Sequence, residues 1–172
     1  MGWSKTLRLL LDPVITVVYP IPKIAILPLI MMLIGLGEQT IIFIIALSAF
    51  FPVLINSIAG VVNINPIFFD VAKNYGAGRG KLFTNVILPG SLPMVFAGIR
   101  LALGMSLLMV VVVELAVSTN GLGAMLWISW STLRIERVYI AIFIIAIISL
   151  ILNPLLKLLF KRLAPWQDDQ AK

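Results

Sequence analysis

Few residues in this sequence could carry out chemistry. The 172 residues include no Cys and no His, which removes thiol nucleophiles, imidazole bases and most zinc sites. Two ionisable residues, Arg100 and Glu114, lie in one long apolar stretch, 14 positions apart. On a single helix that separation is about 21 Å, at 1.5 Å per residue. The two side chains therefore cannot form an acid–base pair, and the sequence argues against a membrane enzyme, a metal site or a bound cofactor.

A glycine-rich basic segment is the other candidate for chemistry. It runs Gly-Ala-Gly-Arg-Gly-Lys from Gly76 to Lys81. A phosphate-binding loop needs four residues between its glycines, and then Lys followed by Ser or Thr. Here three residues separate Gly76 from Gly80, and Leu82 follows Lys81. Nucleotide binding by this chain is therefore not expected.

Composition places the chain in a membrane. It is 61% hydrophobic and 12% charged, with a mean hydropathy of +1.12, whereas a soluble domain has about 25% charged residues. This little charge cannot cover a surface that faces water. The net charge of +6 comes from basic residues in loops, which membrane topology explains without a nucleic-acid partner.

The apolar blocks predict an all-α, polytopic membrane helix bundle that forms one domain, residues 1–172. A helix needs about 20 apolar residues to cross the hydrocarbon. The four stretches of sufficient length are residues 14–35, 41–62, 92–117 and 138–160. Residues 124–133 are apolar but too short to span, so they predict a re-entrant or interfacial helix.

The first and third spans contain the candidate pathway residues. Prolines remove backbone donors, and a broken helix in a membrane is tolerated where protein or a water-filled cavity covers the freed carbonyls. Pro22 and Pro28, together with Arg100 and Glu114, are therefore candidates for lining a solute pathway. The simpler alternatives stay open: a proline-kinked bundle helix, and charges anchored at the two membrane interfaces.

Basic residues indicate which side of the membrane each loop faces. With four spans, both termini and the loop of residues 63–90 (the 63–90 loop) share one side. That side holds Lys5, Arg8, Lys73, Arg79, Lys81, Lys161, Arg162 and Lys172. The other side holds two basic residues, Arg134 and Arg137. Because cytoplasmic loops carry the excess of Lys and Arg, the 63–90 loop is predicted to be cytoplasmic and the short helix extracytoplasmic.

Within the 63–90 loop, an acidic residue and an Ala are followed at fixed spacing by Gly76 and by a Val-x-Leu-Pro ending. This pattern resembles the EAA motif of permease subunits of bacterial and archaeal ABC importers, with Asp70 in place of Glu and Val71 in place of the first Ala. Asp70 is expected to begin a short helix, where its charge favours the N-terminal dipole. The residues expected to couple to the ATPase are Asp70, Ala72, Gly76, Ala77, Val86, Leu88 and Pro89.

A second segment indicates which subgroup of the family the chain resembles. The stretch from Pro20 to Leu29 is similar to the Pro-x-Pro-x-x-Ala-x-x-Pro-Leu segment of the nitrate, sulfonate and taurine permease subgroup. Lys23 occupies a spacer position there and has no predicted role. Family members usually have two further spans before the segment that matches Gly2–Pro13. The resemblance therefore leaves three expectations: a truncated chain, a start that is placed late, or two spans that lie on another polypeptide.

The resemblance implies a multi-pass permease subunit in a prokaryotic inner membrane, which is not itself an enzyme. It also implies that helices of the 63–90 loop dock into a groove of a separate ATPase. The implied partners are that ATPase, a second permease copy in a homodimer, and an extracytoplasmic solute-binding protein that delivers a small solute such as nitrate, a sulfonate or taurine.

Other functions remain open at this point. A plain solvated loop would explain the composition of the 63–90 loop but not its spacing. An autonomous channel or secondary carrier would suit the broken first span and Glu114, and it too leaves that spacing unexplained. An inactive, truncated permease would fit the missing spans.

Overall fold

The computed structural model of the chain describes residues 5–164, with side chains from residue 7 onward. These residues form helices joined by short turns, without a strand, so the predicted all-α fold is confirmed. The helices are α1 (Lys5–Val18), α2 (Leu27–Ile34), α3 (Glu38–Val62), α4 (Pro66–Asn74), α5 (Arg79–Leu82), α6 (Leu88–Val117), α7 (Leu122–Ser131) and α8 (Ile135–Leu163).

Three helical stretches are long and apolar enough to cross a membrane. They are α3, α8 and a continuous stretch of 39 residues, Arg79–Val117, that contains α5 and α6. The fourth candidate is a bent pair, Leu7–Val18 and Lys23–Ile34, with a bend of 84° between its two arms; α2 is the end of the second arm. The polytopic bundle is thus confirmed, and the fourth span is present when the bent pair is counted as one crossing.

The first span differs in detail from the prediction of one broken helix over residues 14–35. Helix α1 already begins at Lys5, and the chain bends between Val18 and Lys23. Pro20 lacks a backbone donor and disfavours the helical conformation in the residue before it, which explains the end of α1. Pro28, in contrast, lies in the first turn of α2, where its missing donor costs nothing.

The centre of the bundle is the crossing of α3 and α6, the most extensive contact between two helices in the described chain. Gly98 of α6 lies directly on α3, so that a Cβ there would stand 2.7 Å from Asn56 Cβ and 3.0 Å from the Pro52 carbonyl oxygen. Beside this crossing, Ile44 and Val113 are fully buried and pack with residues of α2. Small residues therefore bring the two spans together, as they commonly do in membranes.

The C-terminal helices complete the bundle. Helix α7 packs against both α6 and α8, and its bounds agree with the short apolar helix predicted at residues 124–133. Trp127 and Trp130 are exposed, and their ring centroids lie 5.3 Å apart. Most of the apolar surface of α8 is exposed, which is typical of a helix that faces lipid or another subunit.

Candidate functional site

The first half of the 63–90 loop is a short helix with a well-formed start. The Asn65 side chain accepts a hydrogen bond from the Ile67 amide at 3.0 Å, and Pro66 occupies the first helical position of α4. Asn at the cap and Pro after it are favoured helix-start residues. The prediction that Asp70 begins this helix is wrong, because Asp70 lies in the middle of α4 and is exposed. Its carboxylate therefore cannot act on the N-terminal dipole as expected.

The end of α4 involves three of the residues matched to the EAA motif. The Ala77 amide donates to the Ala72 carbonyl, and the Gly76 amide donates to the Lys73 carbonyl, both at 2.9 Å. These two bonds form a Schellman motif, in which the glycine adopts a left-handed conformation. Gly76 has φ +71°, and a Cβ on it would meet nothing within 4 Å. The glycine at position 76 is thus explained here by backbone conformation and not by lack of space.

Helix α4 exposes an apolar face. The face consists of Ile67, Phe68, Val71 and Tyr75, whose exposed fractions are 63%, 60%, 47% and 88%. At about 100° per residue they fall within an arc of roughly 100° on one side of the helix. We call this face the α4 ridge. Lys73 lies on the opposite side of the helix and Asp70 lies about 60° from the edge of this arc, so the ridge is an apolar strip with charged neighbours.

The second half of the loop anchors it to the bundle. After α5, a π-helical turn at Phe83–Ile87 leads into α6 without a break. Leu82 and Ile87 are buried, and a Cβ on Gly90 would lie 3.1 Å from the Ile64 side chain. The end of the 63–90 loop therefore packs against its beginning.

The motif residues Val86, Leu88 and Pro89 belong to this anchor. Val86 and Pro89 are half-buried, while Leu88 is exposed. Pro89 lies in the first turn of α6. The structure thus divides the predicted coupling residues between two places. Asp70, Ala72, Gly76 and Ala77 lie on α4 and in the turn after it, and Val86, Leu88 and Pro89 lie in the π-helical turn and at the start of α6. Their role in coupling stays a prediction.

Glu114 is held by the N-terminus of α7. Its Oε2 accepts a hydrogen bond from the Gly123 amide at 2.8 Å. The first amides of a helix lack partners within the helix, and a carboxylate there is favoured by the helix dipole. Gly121, with φ +115°, and Gly123 let α7 approach this closely, because a Cβ on either would stand 2.4 Å from an atom of α6. Sequence analysis missed this structural use of Glu114.

The other candidate pathway residues do not gather into one site. Arg100 is exposed on α6, and no ion pair joins it to Glu114. Pro22 and Pro28 are exposed on either side of the turn that follows the bend. A pathway role for these residues stays a prediction.

A cation that sequence analysis left without a role lies inside the bend. The Lys23 ammonium donates to the Tyr19 carbonyl oxygen and lies over the rings of Tyr19 and Phe51. One signal could have drawn attention to it, since Lys23 is the sole charged residue between Asp12 and Glu38.

Comparison with known proteins points to one family. The family profile described as "Binding-protein-dependent transport system inner membrane component" matches residues 1–168. The taurine transport system permease protein of Escherichia coli (strain K12) is 38% identical over 169 residues, which is 98% of this chain and 62% of that protein.

The printed names of two further relatives refer to other solutes. A putative aliphatic sulfonates transport permease protein of Bacillus subtilis (strain 168) is 34% identical over 168 residues, 98% of this chain and 61% of that protein. The nitrate import permease protein of Leptolyngbya laminosa is 30% identical over 170 residues, 99% of this chain and 60% of that protein. The chain thus spans about six-tenths of the length of the curated relatives it matches.

Proposed function

The chain belongs to the family of binding-protein-dependent transport system inner membrane components, and from this premise we propose that it is the membrane-spanning permease subunit of an ATP-driven importer. Family membership confirms the resemblance that the 63–90 loop and the Pro20–Leu29 segment indicated. In the proposed role the helices form the solute pathway, and a separate polypeptide hydrolyses ATP.

The α4 ridge is the observation that carries the proposal. Exposed apolar side chains are expected where a helix faces lipid, but α4 belongs to a loop with Lys73, Arg79 and Lys81, which suits an aqueous surface. An amphipathic helix whose apolar face is left uncovered in water fits a partner groove, which it enters with anchors at i, i+3, i+4 and i+7 or similar spacing. We assign the ATPase as that partner.

The way α4 is connected supports transmission of movement into the membrane. Leu82 and Ile87 are buried residues of the continuous stretch Arg79–Val117, and α4 contacts the π-helical turn within that stretch. A partner that moves the α4 ridge therefore acts on α6 through buried contacts and an unbroken helix, with no long linker between them. This arrangement is what an element that couples ATP hydrolysis to transport requires.

The proposed solute is a small anion. The printed names of the three relatives refer to taurine, aliphatic sulfonates and nitrate, and these solutes share a compact group of electronegative oxygens. The proposal further includes a second permease copy as a homodimer and an extracytoplasmic binding protein that delivers the solute.

The test is association with the ATPase when the α4 ridge is altered. Phe68→Ala removes an exposed aromatic side chain from the ridge, and Ile135→Ala removes an exposed apolar side chain of similar exposure, 64%, from the start of α8. Phe68→Ala should lower co-purification of the ATPase and solute uptake, while the amount of permease in the membrane fraction is unchanged. Ile135→Ala should leave both intact. If Phe68→Ala co-purifies with the ATPase as well as the wild type does, the α4 ridge is not the docking surface.

A further inference from the structure

We propose that Lys23 is the anion-binding group of the pathway and that the cavity in front of it takes a small oxyanion, such as a sulfonate or nitrate. The proposal rests on the proposed function, because it names the ligand class and the contact of the pathway assigned there. Nothing in the sequence pattern gave Lys23 this role. The structure suggests it by placing Lys23 at a cavity between three helical elements.

The cavity (the Lys23 cavity) has a volume of about 290 Å³. Tyr19 and Lys23 form one wall, Ser48 of α3 a second, and side chains of α6 between Met105 and Val112 the third. This volume lies just below the roughly 300–1,000 Å³ usual for small-molecule sites, which suits a small ligand. The lining is apolar apart from a few polar groups, so Lys23 provides its charge.

The Lys23 ammonium is held in place but is not neutralised by these contacts. It donates to the Tyr19 carbonyl oxygen, and its Nζ lies 4.8 Å from the Phe51 ring centroid and 5.2 Å from that of Tyr19. Aromatic faces attract a cation without carrying a charge of their own. The preceding acid along the chain, Asp12, pairs with Arg8, and no described carboxylate lies within 4 Å of Nζ.

An oxyanion would balance the charge of the Lys23 ammonium and accept its remaining hydrogen bonds. An ammonium has three donors, and the contact with the Tyr19 carbonyl uses one of them. A charge within a span is costly unless it is paired or hydrated, while charge-assisted hydrogen bonds to an anion are among the strong ones. The apolar walls strengthen this attraction, because they lower the local dielectric.

A second cavity would continue the proposed solute pathway beyond the Lys23 cavity. A cleft of about 610 Å³ between α1 and α3 is lined by Arg8, Asp12 and Asn63 among others, and Tyr19 lines it as well. Tyr19 thus borders both cavities, and its ring lies 5.9 Å from that of Phe51. Tyr19 is therefore the residue shared by the Lys23 cavity and a more polar cleft, which reaches Asn63 at the start of the 63–90 loop. An anion released from Lys23 would pass Tyr19 toward the side of the ATPase.

The first experiment measures binding to the purified full chain in lipid nanodiscs. The probes are methanesulfonate and nitrate as sodium salts, at ionic strength matched with sodium gluconate, whose anion is larger. Dimethyl sulfone is the neutral ligand of nearly the same shape as methanesulfonate. The thermal unfolding midpoint of the wild-type chain should rise with methanesulfonate and nitrate, because a ligand that binds the folded state stabilises it. Dimethyl sulfone should cause no rise.

Three variants connect the response to Lys23. Lys23→Gln should weaken the apparent affinity by about tenfold or more, the factor expected when a hydrogen bond to a charged group is lost. Lys23→Arg keeps the charge and should retain the response. Lys157→Gln removes an exposed Lys from α8 and should behave as the wild type does. A wild-type chain that responds to neither anion, or a Lys23→Gln variant that responds fully, overturns the proposal.

A second readout separates this inference from the proposed function. In cells that also contain the ATPase and the binding protein, uptake of the sulfonate should fall for Lys23→Gln while co-purification of the ATPase is unchanged. If the wild-type chain binds the anion in nanodiscs but no ATP-dependent uptake is measured, the proposed importer function fails and the Lys23 site stands. If uptake occurs and is the same for Lys23→Gln, the Lys23 site fails and the importer stands.

Discussion

The Gly123 amide nitrogen lies 2.8 Å from Glu114 Oε2, and this one hydrogen bond joins the end of α6 to the start of α7. The two residues are nine positions apart, with a tight turn between them. The bond gives a carboxylate near the end of a span a partner within the protein. It also holds the first turn of α7 against α6.

We expect Glu114→Ala to loosen α7. Loss of a side-chain cap costs about 0.5–2 kcal/mol, and the Gly123 amide would lose its acceptor. Hydrogen exchange at Gly123 and the following amides should become faster in Glu114→Ala. Glu114→Gln, which keeps an oxygen acceptor without the charge, should lie between the variant and the wild type. Equal exchange rates in all three proteins would show that the bond does not hold α7.

Gly76 should tolerate substitution according to backbone conformation and not size. A residue with a Cβ pays about 1–2 kcal/mol in the left-handed region, and Asn tolerates this region better than most residues. Gly76→Val and Gly76→Ala should therefore weaken ATPase association and uptake, and Gly76→Asn should keep most of both, at equal permease abundance in the membrane.

Measurements of ATPase association and uptake also distinguish Gly76 from Asp70. Asp70→Ala should have a smaller effect than Gly76→Val, because Asp70 is exposed beside the α4 ridge and has no cap role. If Gly76→Asn were as damaging as Gly76→Val, space at a partner surface and not φ would explain the glycine. If neither changed association, the Schellman turn would have no part in docking.

Two glycines of α6 allow a controlled test of close packing where α6 crosses α3. A Cβ on Gly98 would stand 2.7 Å from Asn56 Cβ, while a Cβ on Gly104 would meet nothing within 4 Å. Gly98→Ala should therefore destabilise the chain by about 1–3 kcal/mol, the usual cost of overpacking. Gly104→Ala should change the stability little. Thermal unfolding in detergent, followed by circular dichroism, measures both, and equal midpoints would argue against close packing at Gly98.

Membrane topology can be tested with single cysteines, because the sequence has none of its own. Gln39→Cys, Lys81→Cys and Asn120→Cys each place one thiol in an exposed position. The charge distribution predicts that a membrane-impermeant reagent added outside labels positions 39 and 120 and spares position 81. Labelling of position 81 from the outside would contradict the orientation and remove the ATPase from reach of the α4 ridge.

The spans could be predicted from sequence because their signal is local. A run of uncharged residues such as 39–69 has few alternatives to a membrane helix. The start of α4 was local as well, since Asn65 and Pro66 are standard helix-start residues. The acidic Asp70 drew the prediction away from them, because an acidic residue is also common in a first turn.

The remaining features depend on contacts between distant residues. Lys23 and Phe51 meet because the chain bends by 84°, and the presence of Pro20 and Pro22 predicts a break but not its angle. The contact of Glu114 with α7 requires the left-handed backbone of Gly121, which a glycine permits but does not demand. Geometry of this kind follows from packing and therefore could not be predicted from the pattern of residue types.

The unbroken stretch from Arg79 to Val117 has a mechanical consequence. Its 39 residues measure about 58 Å at 1.5 Å per residue. If a rigid helix of that length pivots at the α3 crossing, a tilt of about 5° moves each of its ends by roughly 2–3 Å. A displacement of α5 would then move Glu114, and α7 with it, in the opposite direction, because the two lie near opposite ends of this stretch.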